Sequence, residues 1–309
     1  MQRALSTSPN PSNVHFYSSS GGNAGLGCVY AARTLDRPAT VVVPLSTKPL
    51  MIAKIRAAGA HEVLQRGASW KDADTWMREE VMPAAKARGE EPVYVSPFDH
   101  PDVWAGHATM VEEMKAQLGD SGAPDVIVCS VGGGGLFNGV MEGVQKVGWK
   151  ETTVLAMETV GADALAKSVE AGMHITIPGI TSQATSLGAT RVSDRTWELF
   201  TSSKQARNAV LTDAEAAMGS WRFADDERIL VELACGVNVA LCYGGRMAKA
   251  LGRPVKSDEK VAIVLCGGSN VTIDMINTWK QEFGLLSDDI TKSEQQTVPS
   301  AVASANDTR

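Results

Sequence analysis

Four consecutive glycines, Gly132 to Gly135, follow an apolar run and open a helical pattern in the stretch VIVCSVGGGGLFNGV. Without side chains, the backbone of such a turn lies open to a ligand, and its N–H groups and the helix dipole can converge on an anion. A merely tight strand-to-helix turn is the alternative, but it rarely needs four glycines. The stretch therefore predicts a phosphate-binding site.

A dinucleotide site is a competing use of such a turn. It requires the pattern G-x-G-x-x-G, whereas the spacing here is Gly133-x-Gly135-x-x-x-Gly139. Glu158, at the end of the next apolar run, lies near the position expected for a ribose-binding acid. A nicotinamide-dependent enzyme therefore stays open as a second hypothesis.

Two further loops combine small residues with chemically active side chains. In HFYSSSGGNAGLGCVYAAR, residues 15–33, a β-rich run breaks into serines and glycines before a helical pattern from about Asn23. Asn is a common helix N-cap, yet the small residues before it indicate a loop that grips a ligand. In VLCGGSN, residues 264–270, Cys266 ends an apolar run. It is either a ligand-facing thiol or one more small buried residue, and its position alone leaves both open.

Parallel strands must bring these loops to one edge of a sheet. Short apolar runs predict buried strands, and they alternate with helical patterns. The runs cover residues 39–44, 61–65, 91–96, 125–131, 152–159 and 260–266, and the helical patterns cover 48–58, 70–88 and 103–118. This alternation predicts an α/β fold with doubly wound sheets. The proline-containing segment at 96–104 is the expected crossing between two domains.

Composition argues against several classes of function. A net charge of −6 over 309 residues, without a cluster of Lys and Arg, argues against a nucleic-acid partner. The sequence shows no apolar stretch of membrane-spanning length and no apolar core of a secretory signal. The five cysteines and five histidines lack metal-ligand spacing. We expect buried free thiols at Cys28, Cys129 and Cys266 and a reducing compartment, the cytoplasm, with the mitochondrion left open.

Taken together, these motifs resemble the catabolic L-serine/L-threonine dehydratases, which are pyridoxal-phosphate (PLP) lyases of fold type II, like the tryptophan synthase β subunit. The matching blocks are SSGGNAGLG, VVVPLSTKP, PFDHPDVWAGH, SVGGGGL, METVGA, SLGA, ILVELACG and LCGGSN, in family order. The resemblance implies two open, twisted, mostly parallel sheets with helices on both faces and the PLP site between them. It suggests a small, N-terminally truncated PLP- and substrate-binding domain at 1–102, a large PLP-binding domain at 103–287, and a polar tail at 288–309 that we expect to be disordered.

The resemblance also implies a role for each matching position. PLP would contact Asn23, Gly132, Gly133, Gly134, Gly135, Leu136 and Cys266. The glycine turn would hold the phosphate, Asn23 the phenolic oxygen, and the weakly donating thiol of Cys266 would leave the pyridine nitrogen unprotonated. The substrate carboxylate would meet Ser20, Gly21 and Ala24. A monovalent cation such as potassium would bind at Glu158, Ala162 and Leu187, because a hard cation prefers oxygen ligands.

The implied reaction is PLP-dependent β-elimination in a homodimer, giving pyruvate and ammonia from L-serine or 2-oxobutanoate from L-threonine. The family's Schiff-base lysine lies upstream of the Asn-bearing loop, but none of the twenty-two residues before Asn23 is a lysine. Lys48 and Lys54 match a non-catalytic part of the family. We therefore expect residues 1–309 alone to be inactive, either as a fragment of an active dehydratase, which we favour, or as a catalytically dead PLP-binding relative. A β-replacement synthase, a threonine deaminase and an NAD-binding dehydrogenase domain are the remaining alternatives.

Overall fold

The computed structural model describes residues 1–295, with side chains described as far as residue 284. Its strands are β1 (Val14–Ser18), β2 (Ala39–Val43), β3 (Glu62–Gln65), β4 (Glu91–Tyr94), β5 (Val126–Ser130), β6 (Thr153–Thr159), β7 (Ala206–Leu211) and β8 (Val261–Ile263). They form two four-stranded parallel sheets, in the orders β3-β2-β1-β4 and β7-β6-β5-β8. The predicted architecture of two open parallel sheets is confirmed.

Helices connect and cover the strands, as parallel pairing requires. They are α1 (Gln2–Thr7), α2 (Asn23–Thr34), α3 (Pro49–Ala57), α4 (Trp70–Trp76), α5 (Met82–Ala87), α6 (Pro101–Leu118), α7 (Gly135–Val147), α8 (Ala164–Ala171), α9 (Asp194–Ser202), α10 (Asp213–Glu227), α11 (Leu233–Val239), α12 (Arg246–Leu251) and α13 (Ile273–Gln295). A π-helical turn, Met77–Val81, joins α4 to α5, so the helix predicted over residues 70–88 is continuous but widened in its middle.

The central strands of each sheet, β1, β2, β5 and β6, are buried beneath the helices, whereas the edge strands are partly exposed. All five residues of β1 and all five of β2 are buried, and β5 is buried except at its last residue. Such strands need apolar residues at every position rather than alternation, which is why continuous apolar runs identified them. The first sheet takes its strands from residues 14–94 and the second from residues 126–263. A domain boundary between residues 102 and 103 stays a prediction.

The C-terminal region begins with a helix. Helix α13 runs to Gln295, so residues 288–295 of the tail expected to be disordered lie within it. The rest of that tail, residues 296–309, lies outside the described residues.

Helices α10 and α11 approach each other closely enough to require glycine. A Cβ atom on Gly219 would lie 2.2 Å from the carbonyl oxygen of Gly236, and one on Gly236 would lie 2.2 Å from the carbonyl oxygen of Ala216. These neighbours are backbone atoms that cannot rotate away, so the two helix backbones touch. This contact holds α11, which carries part of the site described below, against α10.

We expect Gly219→Ala to lower the free energy of unfolding by about 1–3 kcal/mol or more, because the added methyl group overpacks this contact. Gly27→Ala is the matched control: Gly27 lies within α2 and a Cβ there would meet no atom within 4 Å. Alanine favours helix over glycine by about 1 kcal/mol, so the control should be neutral or stabilising. Urea denaturation measures both variants, and equal stabilities would contradict the close packing.

Candidate active site

Three loops lie where the strand order of the two sheets reverses. In the first sheet the reversal lies between β1 and β4, and in the second between β5 and β8. Ligands of open α/β sheets bind beyond the carboxyl ends of the strands at such points. The serine-rich loop follows β1, the glycine turn follows β5, and the Cys266 loop follows β8. The three loops that sequence analysis singled out therefore all lie at reversal points.

The glycine turn presents a run of unused hydrogen-bond donors. Within residues 1–295, the backbone N–H groups of residues 132–137 donate to no acceptor, and the first helical bond of α7 runs from the N–H of Asn138 to the carbonyl of Gly134. No side chain caps α7, and Gly134 adopts a left-handed conformation with φ 97°. Six consecutive donors at a helix N-terminus form a site suited to an anion.

The glycines also permit close packing, so the tight-turn alternative is part of the explanation. A Cβ on Gly133 would lie 2.3 Å from the ring of Phe98, and one on Gly134 would lie 1.8 Å from Oγ1 of Thr196. Gly135 also lies close to Phe98, whose carbonyl oxygen would be 2.6 Å from a Cβ there. Sequence reasoning placed Phe98 only in the crossing segment. Its position just after β4, at a reversal point, is the signal that would have identified it.

Asn23 is not the N-cap of α2, because the helix begins at Asn23 and Gly22 occupies the cap position. Its side chain instead reaches the second sheet. Nδ2 donates to Oε1 of Glu232 at 2.8 Å, and Oδ1 accepts from the N–H of Ser269 at 2.8 Å. Lys54, on α3, also donates to the carbonyl of Ser269. Asn23 is thus committed to contacts between the two sheets rather than to capping.

Glu232 is the buried carboxylate at the centre of this network, and only 5% of its surface is exposed. Besides the Asn23 bond, its Oε2 accepts from the N–H of Asn270 at 3.1 Å, and its own N–H donates to the carbonyl of Gly267 at 3.0 Å. A Cβ on Gly268 would lie 2.2 Å from the Glu232 carboxyl carbon. Sequence reasoning assigned Glu232 no role, although the acid at the end of the apolar ILVE run, residues 229–232, was visible.

The serine-rich loop is anchored on both sides of the residues assigned to the substrate. The Ser19 hydroxyl donates to the buried Asp74 carboxylate at 2.7 Å, and the Tyr94 hydroxyl donates to the same oxygen at 2.9 Å. Burial and the neighbouring Asp74 raise the pKa of Tyr94 to about 12. On the other side, Gly25 admits the carbonyl of Ser20, which a Cβ would meet at 2.0 Å. The loop is therefore held in one conformation.

Gly21 and Ala24 lie on either side of the start of α2. A Cβ on Gly21 would lie 2.8 Å from the side chain of Thr47, so this position also requires a small residue. Ala24 lies in the first turn of α2, a helix whose N-terminus has no side-chain cap. The unpaired N–H groups of such a turn favour a carboxylate.

Cys266 is exposed, which contradicts the expectation that it is buried, whereas Cys28 and Cys129 are buried as expected. The apolar run over residues 260–266 suggested burial, but β8 ends at Ile263 and the chain then turns into the loop. The buried Cys235, on α11, donates its thiol hydrogen to Cys266. This bond lowers the pKa of Cys266 to about 7 and raises the pKa of Cys235. All five cysteines are free thiols.

Glu158 is buried at the end of β6, with 1% of its surface exposed. Its carboxylate accepts the N–H groups of Leu165 at 2.9 Å and Ala166 at 2.8 Å, at the start of α8, and the side-chain amide of Asn208 at 3.0 Å. Burial raises the pKa of Glu158 to about 7, although these three donors oppose the shift.

The other residues assigned to the cation lie on neighbouring backbone. A Cβ on Gly132 would lie 3.2 Å from the Cα of Leu187 and 3.3 Å from the carbonyl oxygen of Ser186. Ala162 lies in the turn that follows β6, where its N–H donates to the carbonyl of Thr159. Within the described residues, no three His, Cys, Asp or Glu side chains lie close enough together to hold a metal ion.

Residues 1–295 contain no helix that is long and apolar enough to span a bilayer.

Comparisons with known proteins agree on one family. Residues 3–267 match the model of the pyridoxal-phosphate dependent enzyme family. The chain is 40% identical to an L-serine dehydratase of Saccharomyces cerevisiae over 264 residues, covering 84% of this chain and 78% of the relative. It is 40% identical to a serine dehydratase-like protein of Mus musculus, covering 87% and 80%. A solved fungal L-serine ammonia-lyase from Rhizomucor miehei superposes with a TM-score of 0.79 at 31% identity, covering 91% of this chain and 85% of that structure.

Glu158 should make the stability of the protein depend on pH. Its pKa of about 7 in the folded state exceeds the ordinary value of 4.5, so the folded state retains the proton between these values and loses stability as the pH rises from about 4.5 to about 7. The loss is about 3 kcal/mol at most. Glu158→Gln should flatten this slope, as measured by urea denaturation at pH 5, 6, 7 and 8. Glu113→Gln, which changes an exposed carboxyl group on α6, should retain the wild-type slope; a flat wild-type profile would contradict the raised pKa.

Proposed function

The chain belongs to the pyridoxal-phosphate-dependent enzymes, and from that premise we propose that it is an L-serine dehydratase that also accepts L-threonine. The reaction gives pyruvate and ammonia from serine, and 2-oxobutanoate and ammonia from threonine. When bound, PLP supplies an electron sink for the elimination. The observation that carries the proposal is the run of six unpaired N–H groups at residues 132–137, at the carboxyl end of β5.

The proposed cofactor contacts fit the chemistry of the residues present. A phosphate has the negative charge and the acceptor oxygens that suit unpaired N–H groups. These groups belong to Gly132, Gly133, Gly134, Gly135 and Leu136. Cys266, exposed beyond β8 on the second sheet, would face the ring nitrogen, and Asn23 would donate to the phenolic oxygen. Because a PLP molecule must meet all three loops, their common position at the sheet reversal points supports the assignment.

The proposed substrate contacts are Ser20, Gly21 and Ala24. They lie at the uncapped N-terminus of α2, a helix of 12 residues, where a carboxylate is favoured by the helix dipole and by unpaired N–H groups. The Asp74–Ser19 bond and the close approach at Gly25 hold this loop in place before a ligand arrives. Such preorganisation reduces the entropy lost on binding.

A monovalent cation, potassium among the candidates, would bind beside Glu158, Ala162 and Leu187 together with the backbone near Gly132. The buried Glu158 carboxylate supports this assignment because a neighbouring cation would stabilise its charged form. The close approach of Gly132 to Leu187 brings backbone from two loops together. Such a cation would also hold the start of the glycine turn, at Gly132, next to Leu187.

Partners and location complete the proposal: a homodimer in the cytoplasm or the mitochondrion. Lys48 is the first lysine of the sequence. The catalytic assignments therefore include no Schiff-base lysine, and the inactivity of residues 1–309 alone stays a prediction. A catalytically dead PLP-binding relative stays the alternative. Membership in the PLP family weighs against the NAD-binding dehydrogenase.

We expect the chain to bind PLP reversibly, with quenching of tryptophan fluorescence and retention in equilibrium dialysis as the measurements. Gly133→Ala should weaken binding at least about tenfold, because the new methyl group drives the Phe98 ring out of place and distorts the turn. Gly106→Ala, at an open position on α6, should bind like the wild type. Circular dichroism checks that both variants fold. NADH binding in place of PLP binding would overturn the proposal.

Turnover separates the dehydratase from the dead relative. Pyruvate formed from L-serine is measured for residues 1–309 with PLP, and for the same chain preceded by a lysine-bearing N-terminal segment taken from the yeast relative. We expect no pyruvate from the first and serine-dependent pyruvate from the second. Reduction with borohydride followed by peptide mass mapping should leave the first chain unlabelled. Pyruvate from the first chain would contradict the predicted inactivity, and none from the second would contradict the dehydratase assignment.

A further inference from the structure

A cavity of about 220 Å³ lies beside the contact between Asn23 and Glu232. None of the residues assigned to the substrate carboxylate lines it. Its polar side includes Lys48, Thr185, Ser186, Glu232 and Asn270, and its apolar side includes Leu233, Ala234, Met275 and Trp279. Small-molecule sites have this division, with an apolar wall and a few polar groups that fix the orientation of the ligand. The volume suits one small molecule.

Asn270 supplies an unsatisfied acceptor in this cavity wall. Its Nδ2 donates weakly to Oγ1 of Thr185 at 3.3 Å, but its Oδ1 is buried and has no hydrogen-bond partner. A buried acceptor without a partner loses its hydrogen bonds to water and gains none in return, so such groups usually have a ligand or water to pair with. Glu232 adds a second acceptor, because each carboxylate oxygen accepts one N–H and retains a further lone pair. The two acceptors together suit an ammonium group.

Lys48 supplies the opposite charge. It lies just before α3 on the first sheet's side of the cavity, and among residues with described side chains its ammonium has no ion-pair or hydrogen-bond partner. A free ammonium and a buried carboxylate that line the same cavity suit a ligand that carries both charges. The remaining wall, with Leu233 2% and Trp279 6% exposed, offers apolar surface to an aliphatic group.

We propose that this cavity binds an aliphatic α-amino acid that is not turned over. Its ammonium group would meet Asn270 Oδ1 and the Glu232 carboxylate, its carboxylate would meet Lys48, and its side chain would pack on Leu233, Met275 and Trp279. The site goes beyond the proposed reaction. It shares Glu232 with the contact to Asn23, so its occupant is linked to the position of Asn23 at the end of the serine-rich loop.

Three ligands test which cavity residue meets the ammonium group of the amino acid and which meets its carboxylate. Isothermal titration of the PLP-free chain uses L-leucine, L-leucinamide, which lacks the carboxylate, and 4-methylpentanoate, which lacks the ammonium group. We expect leucine to bind most tightly. Lys48→Ala should weaken the binding of leucine and of 4-methylpentanoate by about tenfold and leave the binding of leucinamide unchanged. Asn270→Ala should weaken the binding of leucine and of leucinamide and leave the binding of 4-methylpentanoate unchanged.

Lys71→Ala is the control, because Lys71 is an exposed lysine on α4 that does not line the cavity. Asn270→Ala removes an unsatisfied buried group, so the variant should fold. Absence of leucine binding at about 10 mM, where a millimolar site would be nearly filled, would overturn the proposal. Equal losses of affinity for all three ligands in the Lys48→Ala and Asn270→Ala variants would also overturn it. So would displacement of leucine by L-serine at a concentration below that of leucine, which would make the cavity the substrate site. Since neither PLP nor turnover is involved, these outcomes are separate from the dehydratase assays.

Discussion

The site depends on one buried carboxylate that joins the two sheets. Glu232 accepts hydrogen bonds from Asn23 on the first sheet and from Asn270 on the second. A buried charge is tolerated only when hydrogen bonds replace the water it has lost. These donors come from residues 209 and 38 positions away in the chain, so both hydrogen bonds form only where the two sheets are docked. The site is therefore complete only in the docked arrangement.

The glycine turn shows how one sequence feature meets two physical requirements. The absence of side chains opens six N–H groups to a ligand, and it also lets the backbone pack against Phe98 and Thr196. Packing explains why the turn keeps its shape without a bound anion. An alanine would therefore disturb the site through its neighbours as well as through direct contact with a ligand. The same glycine backbone therefore gives a ligand access to the N–H groups and gives the turn its rigidity.

Sequence patterns predicted the strands and loops whose structure depends on residues that are close together in the chain. Buried parallel strands need unbroken apolar runs, so β2, β5 and β6 were readable, and glycine-rich loops revealed the ends of β1, β5 and β8. Strand β7 was missed because it is an edge strand in which Arg207 and Asn208 interrupt the apolar pattern. The roles of Glu232 and Phe98 were missed for a different reason. Their importance comes from partners that are distant in the chain, and a single sequence contains no signal for such pairs.

Capping was the alternative to a ligand-binding role for Asn23, and in the structure both of its polar atoms bond to residues of the opposite sheet's side of the site. The consequence concerns the energetics of occupancy. Glu232 accepts only one of the two Nδ2 hydrogens, so the second remains free to donate to a ligand. The bonds to Glu232 and Ser269 fix the orientation of the amide before a ligand arrives, and less conformational entropy is then lost on binding. The bond that fastens the two sheets thus also prepares the amide for its ligand.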